Sequence, residues 1–193
     1  MTILIPPFTR GWPLASPPLG VPFIPNQQSI QALGLVGWWP TIGANAAIIR
    51  DRLSQFNLSP VSAPIIVNDE ILGEVTQVNG SNRWQVTSTV LDPLLGTSPF
   101  TVTCWVNPDN DTQSNVCPWG KLDGGAFKGP YVRLDPGAGA LSQFAYFDDG
   151  GNSRSVIDDF GIPVKSWSLV VVGYDGGNLF IQINERSRKT TSV

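Results

Sequence analysis

The chain has 193 residues, of which 41% are hydrophobic and 14% are charged, with a formal net charge of −3. This length suits one sandwich domain with a substantial core, or one domain with an extension. The chain has few charged residues and no cluster of Lys and Arg, so it is not expected to bind nucleic acid. It has no histidine, which removes the commonest general base and the commonest transition-metal ligand.

Residues 1–30 predict an extended N-terminal arm. They hold seven of the 17 prolines, and Arg10 is their only charged residue. Proline fixes φ and lacks an N–H donor, so neither a helix nor a central strand is expected here. The apolar N-terminus lacks a basic region, and Pro6 and Pro7 interrupt it, so no signal peptide is predicted.

The arm is apolar, whereas a disordered linker is typically polar and charged. Its large side chains are therefore expected to lie on a surface, either that of their own domain or that of a neighbouring subunit. About 25 extended residues span ~80 Å, which favours the neighbour. The candidate assembly interface consists of Ile5, Phe8, Trp12, Leu14 and Phe23.

Residues 31–193 predict a series of short strands separated by turn residues, a pattern typical of a sandwich or barrel. The segment 100–106 alternates with period two: Val102, Cys104 and Val106 share one face, and Thr101, Thr103 and Trp105 share the other. The predicted strands are 67–78, 84–91, 100–106, 131–134, 141–147, 167–174 and 179–184. No apolar run is long enough to predict a membrane span.

The two cysteines, Cys104 and Cys117, do not have the spacing of a zinc site. They form either one disulfide across a hairpin or two reduced core thiols. Nothing else in the sequence indicates an oxidising compartment, which favours the thiols.

Several segments, in order, resemble the laminin-G-like, concanavalin A-like jelly-roll family. These are residues 35–40 (LVGWWP), 50–51 (RD), 78–86 (VNGSNRWQV), 100–108 (FTVTCWVNP), 119–121 (WGK), 131–134 (YVRL) and 167–184. The resemblance implies an all-β, two-sheet antiparallel jelly-roll sandwich over residues 31–193, preceded by the Pro-rich arm. It also implies carbohydrate binding, protein binding or virion structure, because one fold serves several functions.

Three departures from the family pattern change what the resemblance implies. Asp51 is the candidate Ca²⁺ ligand, but the family's following glycines are missing, so no cofactor is predicted. Asn184 is followed by Glu185 where the family has glycine, which predicts an altered turn. The family's closing strands are not recognisable, which predicts an open sheet edge for the arm or another subunit to fill.

No catalytic pattern is visible. Hydrolases with this sandwich use two carboxylates at alternate positions of one strand. Here Asp158 and Asp159 are adjacent, beside turn residues, and predict a solvated loop. The basic patch of Arg186, Arg188 and Lys189 predicts a solvated strand end. The chain is therefore predicted not to be an enzyme. Trp119, near a loop, is the candidate glycan contact, whereas the strand tryptophans, including Trp105, are expected in the core.

Together these features predict a structural assembly protein, a virion component such as a capsid decoration (cement) protein of a tailed bacteriophage. The expected partners are further copies of the chain, as a trimer, and a major capsid or other virion protein. Neither nucleic acid nor membrane is expected as a partner. The predicted location is the virion, after synthesis in the host cytoplasm. The alternative is a lectin-like, carbohydrate-binding module of a tail or cell-surface protein.

Overall fold

The computed structural model describes residues 37, 39, 56–62, 65–70, 73–78, 83–86, 98–109, 116–123, 126–136, 141–147 and 153–193. These residues form strands and turns, and no helix long and apolar enough for a membrane crossing occurs among them. The described residues divide into two compact units, one within residues 37–86 and one within residues 98–193. The predicted arm and Asp51 lie outside the described residues, so the predicted boundary at residue 30 stays a prediction.

The first unit contains two antiparallel strand pairs. Strand β1 (Ser59–Val61) pairs with β4 (Arg83–Gln85), and β2 (Ile65–Asp69) pairs with β3 (Gly73–Gln77). The prediction of one strand over 67–78 is therefore wrong, because the chain reverses after Asp69. Asn, Asp and Glu are depleted in strands, which explains why this polar stretch turns.

Trp39, from the segment predicted as the opening strand, is half-buried in the same unit. Its indole nitrogen donates a hydrogen bond to the carbonyl oxygen of Phe56. The ring packs against Gly37, where an added Cβ would lie 2.3 Å from the indole. A side chain larger than hydrogen at position 37 is thus incompatible with this packing.

The second unit is an antiparallel sandwich of two four-stranded sheets, which confirms the predicted two-sheet jelly-roll class. Its strands are β5 (Phe100–Val106), β6 (Val116–Asp123), β7 (Ala126–Leu134), β8 (Ser142–Phe147), β9 (Ser153–Asp158), β10 (Ser168–Tyr174), β11 (Asn178–Ile183) and β12 (Lys189–Ser192). Sheet A has the order β12-β11-β10-β5, and sheet B has the order β6-β7-β8-β9.

The core lies between the inner faces of sheets A and B. Every second residue of a strand points inward, so Val170 and Val172 of β10 face the same interior as Phe144 of β8. The rings of Phe100 and Phe144 meet edge to face at a centroid distance of 6.2 Å. Each fully buried large side chain contributes about 1.5–3 kcal/mol. The core cluster comprises Phe100, Val132, Leu134, Phe144, Val156, Ile162, Val170, Val172, Leu179, Ile181 and Ile183.

The β10–β11 hairpin turns at residues 175–178, the Asp-Gly-Gly-Asn segment between the predicted strands 167–174 and 179–184. Gly176 has φ of 104°, a conformation that suits glycine. One carboxylate oxygen of Asp175 accepts hydrogen bonds from the backbone N–H groups of Asn178 (2.8 Å) and Gly177 (3.0 Å). These bonds favour the ionised carboxylate and lower the pKa of Asp175.

The chain after Asn184 does form a further strand, so the predicted lack of a closing strand is wrong. Strand β12 pairs with β11, with Thr190 opposite Phe180. Asn184 makes the preceding turn with φ of 52°, which asparagine tolerates better than most residues. Its side-chain oxygen accepts a hydrogen bond from the backbone N–H of Leu169 at 2.8 Å. This side-chain bond holds the turn at the place where the family has an Asn-Gly turn. The Thr-rich strand carries no apolar alternation that would have predicted it.

Candidate functional site

The outer face of sheet A combines an exposed tryptophan with uncharged neighbours. In strand β5, Val102, Cys104 and Val106 pack towards the core, and the alternate residues point away from it. The register pairs Trp105 with Leu169 and Thr103 with Val171 across β5 and β10, and Val171 with Gln182 across β10 and β11. We call this surface the Trp105 face; it consists of Thr101, Thr103, Trp105, Leu169, Val171 and Gln182.

Trp105 is 51% exposed, although tryptophan usually buries most of its surface. Leu169 and Val171 are half-buried, and Thr103 is exposed. An indole, two aliphatic side chains and a hydroxyl group therefore meet solvent together on one sheet. An arrangement of this kind suits a contact with an apolar or uncharged partner.

Phe180 and Gly173 form the border of the Trp105 face. Phe180 points outward but is only 4% exposed. Its ring lies over Gly173, where an added Cβ would lie 2.6 Å from the ring and 2.2 Å from the carbonyl oxygen of Phe100. The guanidinium of Arg188 covers the ring at 4.4 Å from its centroid, a cation–π contact.

The expectation that Trp105 packs in the core is wrong. The signal that would have placed it outside was present in the sequence, since Trp105 shares a face with Thr101 and Thr103. The opposite face carries Val102, Cys104 and Val106, which are the better core formers as a set. The core position was expected because tryptophan is aromatic. The period-two alternation of β5 indicated the outer face instead, and it was correct.

The second notable region is a charged cluster where β9 and β11 end and β12 begins. Asp158 is 1% exposed, so its prediction as a solvated loop residue is wrong. One of its carboxylate oxygens accepts from the N–H of Phe160 at 3.0 Å and lies 3.5 Å from the guanidinium of Arg186. The buried position follows from the strand register, which puts Asp158 on the same side of β9 as Val156.

The basic residues of this region have partners within the chain. Arg186 also donates to the carbonyl oxygens of Phe160 (3.1 Å) and Gly161 (3.0 Å), and its guanidinium lies 5.5 Å from the centre of the Phe160 ring. Lys189 pairs with Asp159 at 3.4 Å. The prediction of a solvated basic strand end is therefore wrong for Arg186. We call Asp158, Asp159, Phe160, Arg186 and Lys189 the charged end.

Trp119 lies on β6, half-buried, and packs against the core cluster, with its ring centroid 6.5 Å from that of Phe100. Its predicted contact with a glycan stays a prediction. The predicted interface residues Ile5, Phe8, Trp12, Leu14 and Phe23 fall outside the part of the chain that the structure describes. Their role also stays a prediction.

Cys104 and Cys117 are free thiols. Burial raises the pKa of Cys104 to about 12, and burial also raises the pKa of Cys117 to about 11, even though that residue is exposed overall. The sulfur of Cys117 lies 3.2 Å from the carbonyl oxygen of Trp119, to which it donates. Both groups are protonated at neutral pH, which makes them poor nucleophiles.

The described residues contain no group of three His, Cys, Asp or Glu side chains placed to hold a metal ion. The six residues of the Trp105 face include no carboxylate. Among the described residues, Asp158 is the carboxylate found buried, and it is paired with Arg186. The geometry therefore supports binding at the Trp105 face, and the prediction that the chain is not an enzyme stays a prediction.

Comparison with known proteins identifies the fold family. A laminin-G-type family model, described as the concanavalin A-like lectin/glucanases superfamily, matches residues 79–193. The chain belongs to this superfamily. The match covers more than half of the chain and includes all eight strands of the sandwich. No match was found among the curated proteins.

As its name states, the superfamily contains both binding proteins and hydrolases. Membership therefore supports a carbohydrate-binding or structural module, and the fold alone does not choose between the two. That choice depends on the chemistry of the exposed surface.

Proposed function

We propose that this chain is a non-enzymatic structural module that assembles through uncharged surfaces, and that it serves as a virion component such as a capsid decoration protein of a tailed bacteriophage. The observation that carries the assembly proposal is the half-exposed Trp105 among uncharged neighbours on sheet A. The virion assignment depends on sequence features alone, namely the apolar arm and the low charge.

Covering the Trp105 face supplies part of the energy that assembly needs, and the rest has to come from other contacts, because association itself costs several kcal/mol. A tryptophan side chain presents up to ~250 Å² of surface, and about half of that remains exposed here. At about 25 cal/mol per Å², covering the exposed half contributes roughly 3 kcal/mol before any ordering cost. Leu169 and Val171 add smaller terms, and no charge on the face has to lose its hydration.

Light scattering of the full chain beside a variant lacking residues 1–27 tests the assembly proposal. We expect an oligomer, a trimer in the simplest case, that falls to a monomer after the deletion. Circular dichroism should show that the sheet content of the shortened chain is unchanged. A full chain that stays monomeric up to high concentration, or a deletion that leaves its mass unchanged, would contradict the proposal.

The virion assignment needs its own test. We propose that the assembled module binds a major capsid protein or another virion protein. Cosedimentation with assembled capsid shells measures this directly, with the Trp105→Ala variant as a comparison. An oligomer that binds none of the shells offered would leave an assembly module without the virion role.

Carbohydrate binding is the second candidate, and Trp105 favours it too. An exposed indole offers a flat apolar surface for a sugar ring, and Thr103 and Gln182 provide a hydroxyl and an amide nearby. A glycan array tests this candidate with the wild type, Trp105→Ala and Trp119→Phe. Binding that is lost only in Trp105→Ala would support it, and loss only in Trp119→Phe would instead support the contact predicted from the sequence.

A further inference from the structure

The Trp105 face has the features of a surface that takes an extended proline-rich peptide. Trp105 and Leu169 form an apolar pair across β5 and β10, and the next row holds Thr103, Val171 and Gln182. Proline-rich segments bind exposed aromatic side chains because the rigid polyproline helix is already ordered before binding. Such a helix has no internal hydrogen bonds, so its carbonyl oxygens are free to accept from the Thr103 hydroxyl or the Gln182 amide.

The chain itself contains a segment with this chemistry. The arm includes the pairs Pro6-Pro7 and Pro17-Pro18, each followed by a large apolar residue, Phe8 and Leu19. The arm's single charge is Arg10, and none of the six residues of the Trp105 face is charged. Apart from Arg10, whose guanidinium has to keep its contact with water, neither surface would have to bury an ion on contact.

The arm is also long enough to reach another molecule. As a polyproline helix of about 3.1 Å per residue, residues 1–30 would span roughly 90 Å. A compact domain of this size has a diameter of roughly 40 Å. The arm therefore exceeds what contact with its own domain requires.

We infer that the proline-rich arm of one molecule, residues 1–27, docks on the Trp105 face of a neighbouring copy. This inference rests on the proposed assembly function and names the surface that the arm contacts. Successive exchanges of this kind around a ring would generate a closed oligomer.

Sedimentation equilibrium of the full chain tests the inference by comparing the dissociation constant of the oligomer in three variants with that of the wild type. Trp105→Ala removes the aromatic contact, and we expect it to raise the dissociation constant of the oligomer at least ~30-fold, as for an interface hot spot. Thr103→Glu places a carboxylate on the face without removing packed atoms, and we expect a similar loss. Ile157→Ala is the matched control, because Ile157 is 41% exposed on the outer face of sheet B. The oligomer of this variant should have a dissociation constant within about twofold of the wild-type value.

A synthetic peptide of residues 1–27 adds a direct probe. Added in excess to the full chain, it should compete with the arms and shift the oligomer towards monomers, whereas a peptide of scrambled order should not. The same peptide should bind Trp105→Ala more weakly than it binds the wild type. Circular dichroism of each variant separates loss of docking from loss of folding.

The outcomes distinguish this inference from the assembly proposal. If Trp105→Ala and Thr103→Glu assemble like the wild type while the deletion of residues 1–27 abolishes assembly, the arm docks elsewhere and only this inference is overturned. A monomeric wild type overturns both. If Trp105→Ala loses glycan binding but assembles like the wild type, the Trp105 face binds carbohydrate and not the arm, which also overturns the inference.

Discussion

The Trp105 face and the charged end differ in how their side chains are satisfied. At the charged end, Asp158 and Arg186 neutralise each other and Arg186 is held by two backbone carbonyl oxygens. On the Trp105 face, Trp105 is half-exposed, and none of the six residues that form the face is charged. The charged pairs of the charged end therefore hold parts of the sandwich together, whereas the proposed binding surface is formed by uncharged residues.

The difference gives a rule for separating stability from function in this chain. Substitutions at the charged end should lower the free energy of unfolding and leave assembly or ligand binding unchanged, provided that the protein is folded. Substitutions on the Trp105 face should weaken assembly or ligand binding and change the free energy of unfolding little. The border residues Gly173 and Phe180 should affect both properties, because the ring of Phe180 lies on the face and over the backbone of the sheet.

The largest effect is expected for Arg186→Ala. It leaves the carboxylate of Asp158 buried without its cation, and the second oxygen of that carboxylate already lacks a hydrogen-bond partner in the described part of the chain. Breaking a fully buried pair costs about 3–5 kcal/mol, and because Arg186 is partly exposed we expect about 2–3 kcal/mol. Urea unfolding followed by circular dichroism gives the value.

Lys189→Ala is the matched control for Arg186→Ala. Lys189 belongs to the same region, but its pair with Asp159 is exposed on both sides, so the loss should stay below about 1 kcal/mol. Equal losses in the two variants would mean that burial of Asp158 does not distinguish the two pairs.

Gly173→Ala should destabilise the protein by about 1–3 kcal/mol, because the added methyl group meets a backbone oxygen that has little room to move. The same substitution should weaken binding at the Trp105 face, since Phe180 has to shift. Gly177→Ala is the control: its added Cβ would have only Asp175 within contact distance, at 3.9 Å. Thermal unfolding of the pair gives the comparison, and similar melting temperatures would contradict it.

Trp105→Ala should lower the free energy of unfolding by only about 1 kcal/mol, since the indole is half-exposed and packs mainly beside Leu169. Chemical denaturation gives the value for the same sample used in the assembly and glycan measurements. A loss as large as that of Arg186→Ala would mean that the Trp105 face is part of the fold's stability, and the contrast between the two regions would not hold.

The smallest effect is expected from Asp175, on the turn beside the Trp105 face. Its lowered pKa means that its contribution is present above the unfolded pKa, near 3.8, and is lost as the pH falls through the folded value. As the pH falls below about 4, the wild type should therefore lose slightly more stability than Asp175→Asn. Unfolding midpoints across this range measure the difference, and parallel curves would show that the turn bonds do not depend on the charge.

Much of the sandwich was predictable from local patterns. The alternation in β5, the Asp-Gly-Gly-Asn turn and the ordered resemblance to the laminin-G-like family gave the correct fold class. The break between β2 and β3 was missed, and no strand was predicted at β1, β6, β9 or β12. In each case the deciding interaction is a pairing with another strand, which local alternation indicates only weakly in short or polar segments.

The candidate site was predicted less well than the fold. Trp119, chosen for its position near a loop, packs against the core, while Trp105, assigned to the core, is exposed. Asp158 and Arg186 are far apart in sequence, so no local pattern indicates that they meet. Their contact exists because β9 and the β11–β12 turn end at the same place in the sandwich.

What the sequence by itself determined is the periodicity: it specified which residues of β5 and β10 share a side, and where the chain turns, because these depend on neighbours two or three positions apart. Only the tertiary structure decided which side is covered and which charges are paired. Burial of a strand face depends on the sheet that packs against it, and in this sandwich sheet B covers the valines of β10 and leaves Trp105 facing solvent.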